Sequence, residues 1–450
     1  MELQRRLTVA HATALNVIDM VGIGPFIVMS SVMAAMGGPH AVLAWIIGAL
    51  LAYADAMVWA ELGAAFPEAG GSYAFLRVLY GTERWGRVMA FLFIWQTVFQ
   101  SSFVVASGAI GFTNYVQYLA TLSAGWERKA VAAAVIVLIV AALYRRIETI
   151  GRISLGLGVV VIGTLVWVIV AGVVGGDWSF LGDIPRAIGH PDGLGEAMQS
   201  SVYAILGYYN VCHLGAEVVE PEKTIPRSMF ASIAIVTSLY VAMQLSVESL
   251  VGWREARPDQ FIVSMAIERV WGHGAAVIAT VLVLIVALSS LYSVVLGYSR
   301  IPYAAARDGN FFRFFARLHP TKNFPHVALL AIGGISVVLV LLFDGLRIVV
   351  ASILTLRILV QFIGQAVGLL LYHRRNPHAR FPFRMVLYPM PALVAIALWV
   401  WLFAVRPPEA IAMGVGVLGA GVVAYILVAW LRGWFPFESR TVRSLRSELR

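Results

Sequence analysis

Between residues 9 and 432 the sequence is a succession of apolar stretches, most about twenty residues long, separated by short polar interruptions. A run of that length crosses roughly 30 Å of hydrocarbon as a helix, and a helix in lipid must satisfy its own backbone hydrogen bonds. The spans fall at about 9–36, 41–65, 86–119, 129–145, 152–175, 197–218, 227–252, 274–299, 326–343, 347–372, 385–405 and 408–432, twelve in all. A chain that is 60% hydrophobic and only 13% charged lies far outside the range of soluble globular domains. The composition therefore predicts an all-α integral membrane protein, with one transmembrane domain over 1–435 and a basic tail over 436–450. The first run lacks a small-residue cleavage site and passes directly into the next hairpin, so it reads as a span and not as a removed leader.

The net charge of +9 has a topological explanation. With the N-terminus inside, 24 Lys and Arg fall on the cytoplasmic side, 8 fall outside and one, Arg357, lies within a span. This is the positive-inside pattern, and it predicts a multi-pass cell-membrane protein with both termini cytoplasmic. The basic segments 300–322, 374–384 and 440–450 can touch anionic lipid; nothing in the charge pattern calls for nucleic acid. The aromatic and basic segment Asn310 to Pro320 reads as an amphipathic piece lying in the interface. The largest external loops, Gly176 to Glu196 and Gly252 to His273, read as lids and short surface helices. Cys212 is the only cysteine, which excludes an internal disulfide and a cysteine metal cluster.

Two spans are interrupted. The first holds Gly22, Gly24 and Pro25 in an otherwise apolar run, with Asp19 one turn earlier; the sixth holds Gly207-Tyr208-Tyr209-Asn210, followed by His213, Gly215 and Glu217. Broken helices persist in a membrane only where the freed N–H and C=O groups face protein, water or a ligand. The starts of the two broken spans are five helices apart, which predicts a five-plus-five inverted repeat, about 9–175 and 197–372, followed by two extra helices over 385–432. In such repeats the discontinuous helices build the substrate site.

These segments carry a resemblance. The chain resembles the amino acid, polyamine and organocation permeases, a superfamily with the LeuT-type fold. The matches are Gly22-Ile23-Gly24-Pro25-Phe26, Trp59-Ala60-Glu61-Leu62-Gly63, Pro67 through Gly70-Gly71-Ser72-Tyr73, Gly207 through Glu217, Pro221 through Pro226-Arg227-Ser228, and Arg300 through Arg307-Asp308-Gly309. They occur in family order, cover about residues 9 to 375, and are specific only in combination. Two departures concern mechanism. Pro25, a departure that resembles plant polyamine transporters of the superfamily, stands where the family usually keeps a backbone N–H, and span 5 lacks the lysine that replaces a sodium ion in several relatives.

Each candidate residue has a functional and a structural reading. Gly22, Ile23 and Gly24 would free amides at the N-terminal end of the outer half-helix, where the dipole favours a carboxylate; the alternative is close helix packing. Asp19 could meet a substrate amine, carry a proton or pair with Arg357, since intramembrane acids face cavities or partners. By resemblance Tyr203, Gly207, Tyr208, Tyr209 and Asn210 form the second wall, with a gate near Tyr203; tyrosines in membrane helices are also simply packed. Glu217 and Arg357 read as gate, relay or structural pair. Ser289 and Ser290 lie where sodium-coupled relatives place hydroxyl ligands, but serines also bond across helices, and no metal is expected. Glu61 reads as a brace for the loop after span 2.

No phosphate loop, metal cluster or catalytic triad stands in a recognisable context, so neither an enzyme nor a cofactor is expected. The resemblance implies a secondary transporter of amino acids or related amines, working by alternating access as a proton symporter or an exchanger. A polyamine or cationic amine carrier, and a membrane amino acid sensor that binds without transport, are the alternatives. A channel would need a carbonyl or charge-ring filter, and none is visible.

Overall fold

The computed structural model describes residues 5–437 except 69, 123–124, 145–149, 188, 190–191, 323 and 344. The end of the basic tail, 438–450, lies outside the described residues. Among the described residues eighteen α-helices follow one another: α1 (Val9–Met20), α2 (Gly24–Met36), α3 (Val42–Ala65), α4 (Ser72–Tyr80), α5 (Trp85–Leu119), α6 (Gly125–Leu143), α7 (Ile150–Gly175), α8 (Ile184–Ala187), α9 (Leu194–Ile205), α10 (Asn210–His213), α11 (Pro221–Val251), α12 (Ile262–Tyr298), α13 (Arg300–Arg307), α14 (His326–Leu342), α15 (Leu346–Arg357), α16 (Gly364–Arg375), α17 (Met390–Ala404) and α18 (Pro408–Arg432). Among the described residues no strand forms; one isolated parallel bridge joins Leu7 to Val218.

Every expected span carries helix, but length and hydropathy alone qualify six, or eight when each bent pair counts as one span. The remaining four fall short for visible reasons. The fourth, α6, opens on Glu127, Arg128 and Lys129; the sixth is divided between α9 and α10; the ninth and eleventh, α14 and α17, have 17 and 15 residues. The exposed faces are apolar: Val173 and Val174 on α7, Leu341 and Leu342 on α14, and Leu427 and Leu431 on α18 all lie on the surface. Such a rim is a liability in water and a match for lipid.

Two groups of helices meet at the centre. On one side α1 and α3 pack on α11, and α2 and α3 pack on α9. On the other, α5 runs through the middle of α6, α12, α14, α15 and α18, while α7 bridges α11 and α12.

One segment takes a definite form, and one sequence expectation is corrected. The segment Asn310 to Pro320 forms a short 3-10 turn at Arg313–Ala316. Phe311 and Phe315 are buried, and the Phe311 ring lies 5.2 Å from that of Phe91. Its aromatics therefore pack largely on protein. Glu61 braces a different connection: it bonds His373 Nε2 at 2.5 Å and accepts the Met385 N–H at 3.0 Å, so it ties α3 to the α16–α17 link.

Candidate functional site

Residues 21–23 separate α1 from α2, and the two helices bend by 55°. Proline at the start of α2 fixes its own φ and needs no partner there. The Val21 N–H closes α1 on the Val17 carbonyl, and the Tyr240 hydroxyl donates to the Met20 carbonyl at 2.9 Å. The next three amides, of Gly22, Ile23 and Gly24, find no acceptor among the described residues. The glycines also permit close approach. A Cβ on Gly22 would lie 2.7 Å from Ser290 Oγ, and one on Gly24 would lie 3.4 Å from Ala204 Cα on α9.

The second break lies opposite. After Leu206 the chain leaves the helix at Gly207, whose φ of +124° is a conformation that side chains rarely adopt. A Cβ there would lie 2.9 Å from Asp19 Oδ2 and 3.2 Å from the Asp19 carbonyl carbon. Gly207 thus brings the two breaks into contact.

Between them is a cavity of about 90 Å³, room for a cluster of waters or a small solute by the volume one water needs. Asp19, Gly22, Ile23 and Gly24 line it from the first span, Tyr203, Gly207 and Tyr209 from the sixth, and Ser290, Tyr298 and Arg357 from α12 and α15. Asp19 is solvent-accessible within this space. Its carboxylate makes no hydrogen bond and no close ion pair among the described residues. Arg357 is 5% exposed and donates from Nη1 to the Tyr209 hydroxyl and from Nη2 to the Tyr298 hydroxyl. Tyr203 shares a 2.9 Å hydrogen bond with Ser107 of α5, so a link between the two helix groups borders the cavity.

An accessible carboxylate and three unpartnered amides at the first break, with a buried guanidinium on the same cavity, suit capture of a small zwitterion. Over residues 7–430 the sequence matches the amino acid permease family. The chain belongs to that family. The permease is 28% identical to an uncharacterized transporter of Mycobacterium tuberculosis over 438 residues, 94% of this chain and 91% of that one. It is 25% identical to a serine/threonine exchanger of Bacillus subtilis over 88% of this chain and 89% of the exchanger. It is also 25% identical to the mouse cationic amino acid transporter 4, over 83% of this chain and 61% of that protein. This amino acid permease is accordingly a multi-pass membrane protein of a transporter family, not of an enzyme family.

Several sequence candidates lie away from the permease's cavity lining. Pro25 is buried behind it in the first turn of α2. The Tyr208 ring points elsewhere and donates to Asp55 Oδ2 at 2.6 Å. Asn210 begins α10 and lies outside the lining. Ser289 donates to the Ile285 carbonyl of its own helix at 2.7 Å, while its neighbour Ser290 faces the cavity. At Glu217 it is the main-chain carbonyl that acts, taking the N–H groups of Arg6 and Leu7 at 2.8 and 3.0 Å. Arg357 and Asp19 line one cavity without pairing. Sequence reasoning did not single out Ser107, Gly108 or Tyr298. Glycine and serine spaced along α5 were the available signal, and it is a weak one, because small residues pack helices throughout membranes.

Proposed function

We propose that this permease is a secondary active transporter of α-amino acids, working by alternating access about the cavity between the two helix breaks. The supporting observation is the convergence of Asp19, the free amides of Gly22 to Gly24, and Arg357 on one cavity. The substrate carboxylate meets the amides at the start of α2, where the helix dipole adds about half a positive charge. Its ammonium group meets Asp19. Tyr203 closes over the bound solute, and the helices of the α1, α3 and α11 group rock against those around α5.

In this reading the protein has twelve spans, a five-plus-five inverted repeat and cytoplasmic termini, as the positive-inside count supports. Transport is driven by protons or by exchange, with Glu217 and the chain around it at the inner end of the path. The test is uptake by proteoliposomes of labelled amino acids, with an imposed pH gradient, an imposed sodium gradient or unlabelled solute inside. Saturable, stereoselective accumulation driven by protons or counterflow is the expected result; binding without flux would make the protein a sensor.

A further inference from the structure

Arg357 is a buried cation with an incomplete set of partners. Two phenol hydroxyls take its Nη1 and Nη2 hydrogens, and its Nε is buried without an acceptor. Phenols contribute dipoles, not charge. No carboxylate reaches it within ion-pair distance among the described residues, and Asp19 is the one acid in the cavity lining. Directly after Arg357 the helix widens into a π turn, Ile358–Ile363, a distortion that collects at functional sites. A charge removed from water is normally paired; Asp19 acts on this one only across the cavity, and no anion touches it.

The charges of the cavity indicate where that anion comes from. A zwitterionic substrate uses its ammonium group on Asp19 and its α-carboxylate on the start of α2. Arg357 is then left over, carrying one further positive charge with an open donor. We infer that Arg357 reads the substrate's side chain, selecting α-amino acids whose side chain ends in a carboxylate and rejecting those that end in a cation. The inference rests on the transport reading above and narrows it. An acidic side chain completes the guanidinium's coordination through charge-assisted hydrogen bonds. A neutral hydroxyl or amide side chain can accept from it more weakly. A lysine, arginine or polyamine brings a like charge into a low-dielectric space, where repulsion is screened little. The same residue therefore argues against the cationic-amine alternative that Pro25 and Asp19 suggest from sequence.

The experiment measures labelled glutamate, serine, arginine and spermidine in wild-type proteoliposomes under both a pH gradient and counterflow, followed by R357Q and R357K. The expected order is glutamate above serine, with arginine and spermidine at background. In R357Q the ratio of glutamate to serine apparent affinity should fall roughly 10- to 100-fold, the range for losing a hydrogen bond to a charged group, with R357K between the two. Using the ratio separates a change in selection from a general loss of activity. Should the variants misfold, thermal stabilisation of the wild type in detergent by glutamate but not by arginine carries the same test. Transport of arginine or spermidine alongside glutamate, or a glutamate preference unchanged in R357Q, overturns the assignment and leaves the transport reading standing. Absence of flux for every amino acid in the wild type overturns both.

Discussion

The two helix breaks face one cavity, yet their backbones are treated differently. At the first, α1 and α2 are full helices of 12 and 13 residues, and the amides of Gly22, Ile23 and Gly24 are left without protein acceptors. At the second, the helix after the break, α10, is a single turn of four residues, held by side chains from around it. Asn16 Oδ1 accepts the Val211 N–H at 2.9 Å, Asp55 accepts from Tyr208, Arg357 donates to Tyr209, and Trp59 stacks on Tyr209 with ring centroids 4.4 Å apart. The first break is thus open to a ligand, and the second is tied to the rest of the protein. A substrate bound at the first would touch the second through Gly207, which would give it a mechanical connection to α3, α11 and α15.

The largest expected effect comes from closing the contact between the breaks. Gly207→Val places a β-branched side chain at φ +124° and against Asp19, a conformation forbidden to such residues. Uptake should drop to background, with monodisperse protein still recovered from the membrane. Gly22→Ala should be milder, because its Cβ meets the Ser290 hydroxyl, which can rotate away. Wild-type uptake in Gly207→Val would mean that the two breaks need not touch.

Next in size, Asp19→Asn keeps the shape of the open break and removes its charge. A hydrogen bond to a charged group contributes about 1.5–3 kcal/mol, so apparent affinity for substrate should weaken roughly 10- to 100-fold, while thermal stability holds. Unaltered KM and rate would remove Asp19 from substrate binding. Tyr208→Phe probes the tied break and should act the other way round. It removes one of the two donors to buried Asp55, the other being Trp399 Nε1 at 3.0 Å. Stability should fall by about 1–3 kcal/mol, read as a lower Tm, with substrate KM changing less than about threefold. A large KM change with an unchanged Tm would place Tyr208 at the substrate after all.

Much of this contrast was legible in the sequence, because its causes are local. Glycine and proline interrupt an apolar helix whatever surrounds them, and Asp19 and Arg357 stand out in the middle of apolar runs. What could not be read was direction. Adjacent residues on a helix point about 100° apart, so no pattern chooses Ser290 over Ser289 for the cavity, or sends Tyr209 toward it and Tyr208 toward Asp55. Long-range partners were equally hidden: Glu61 precedes its loop in sequence but meets His373 and the Met385 amide in space. The shortness of α10 was hidden too, since the run from Asn210 to Val218 is apolar enough to continue as helix and is stopped by tertiary contacts. Among these is the bridge between Leu7 and Val218.

The smallest effect tests whether the tied break is held by its cap. Asn16 is fully buried on α1, and its side-chain oxygen satisfies one of the amides that the first turn of α10 cannot satisfy itself. Asn16→Ala should cost about 1 kcal/mol, the usual value of a lost helix cap, and its consequence should be local. Hydrogen exchange at the Val211 amide should rise about fivefold, in proportion to that energy, while amides in α3 and α5 keep their protection. Because α10 is too short to persist without outside support, loosening its first turn should also raise exchange through Asn210–His213. If protection there is unchanged, the aromatic contacts of Tyr209 hold the segment without help from α1, and the coupling between the breaks runs through Gly207 and Asp19 alone.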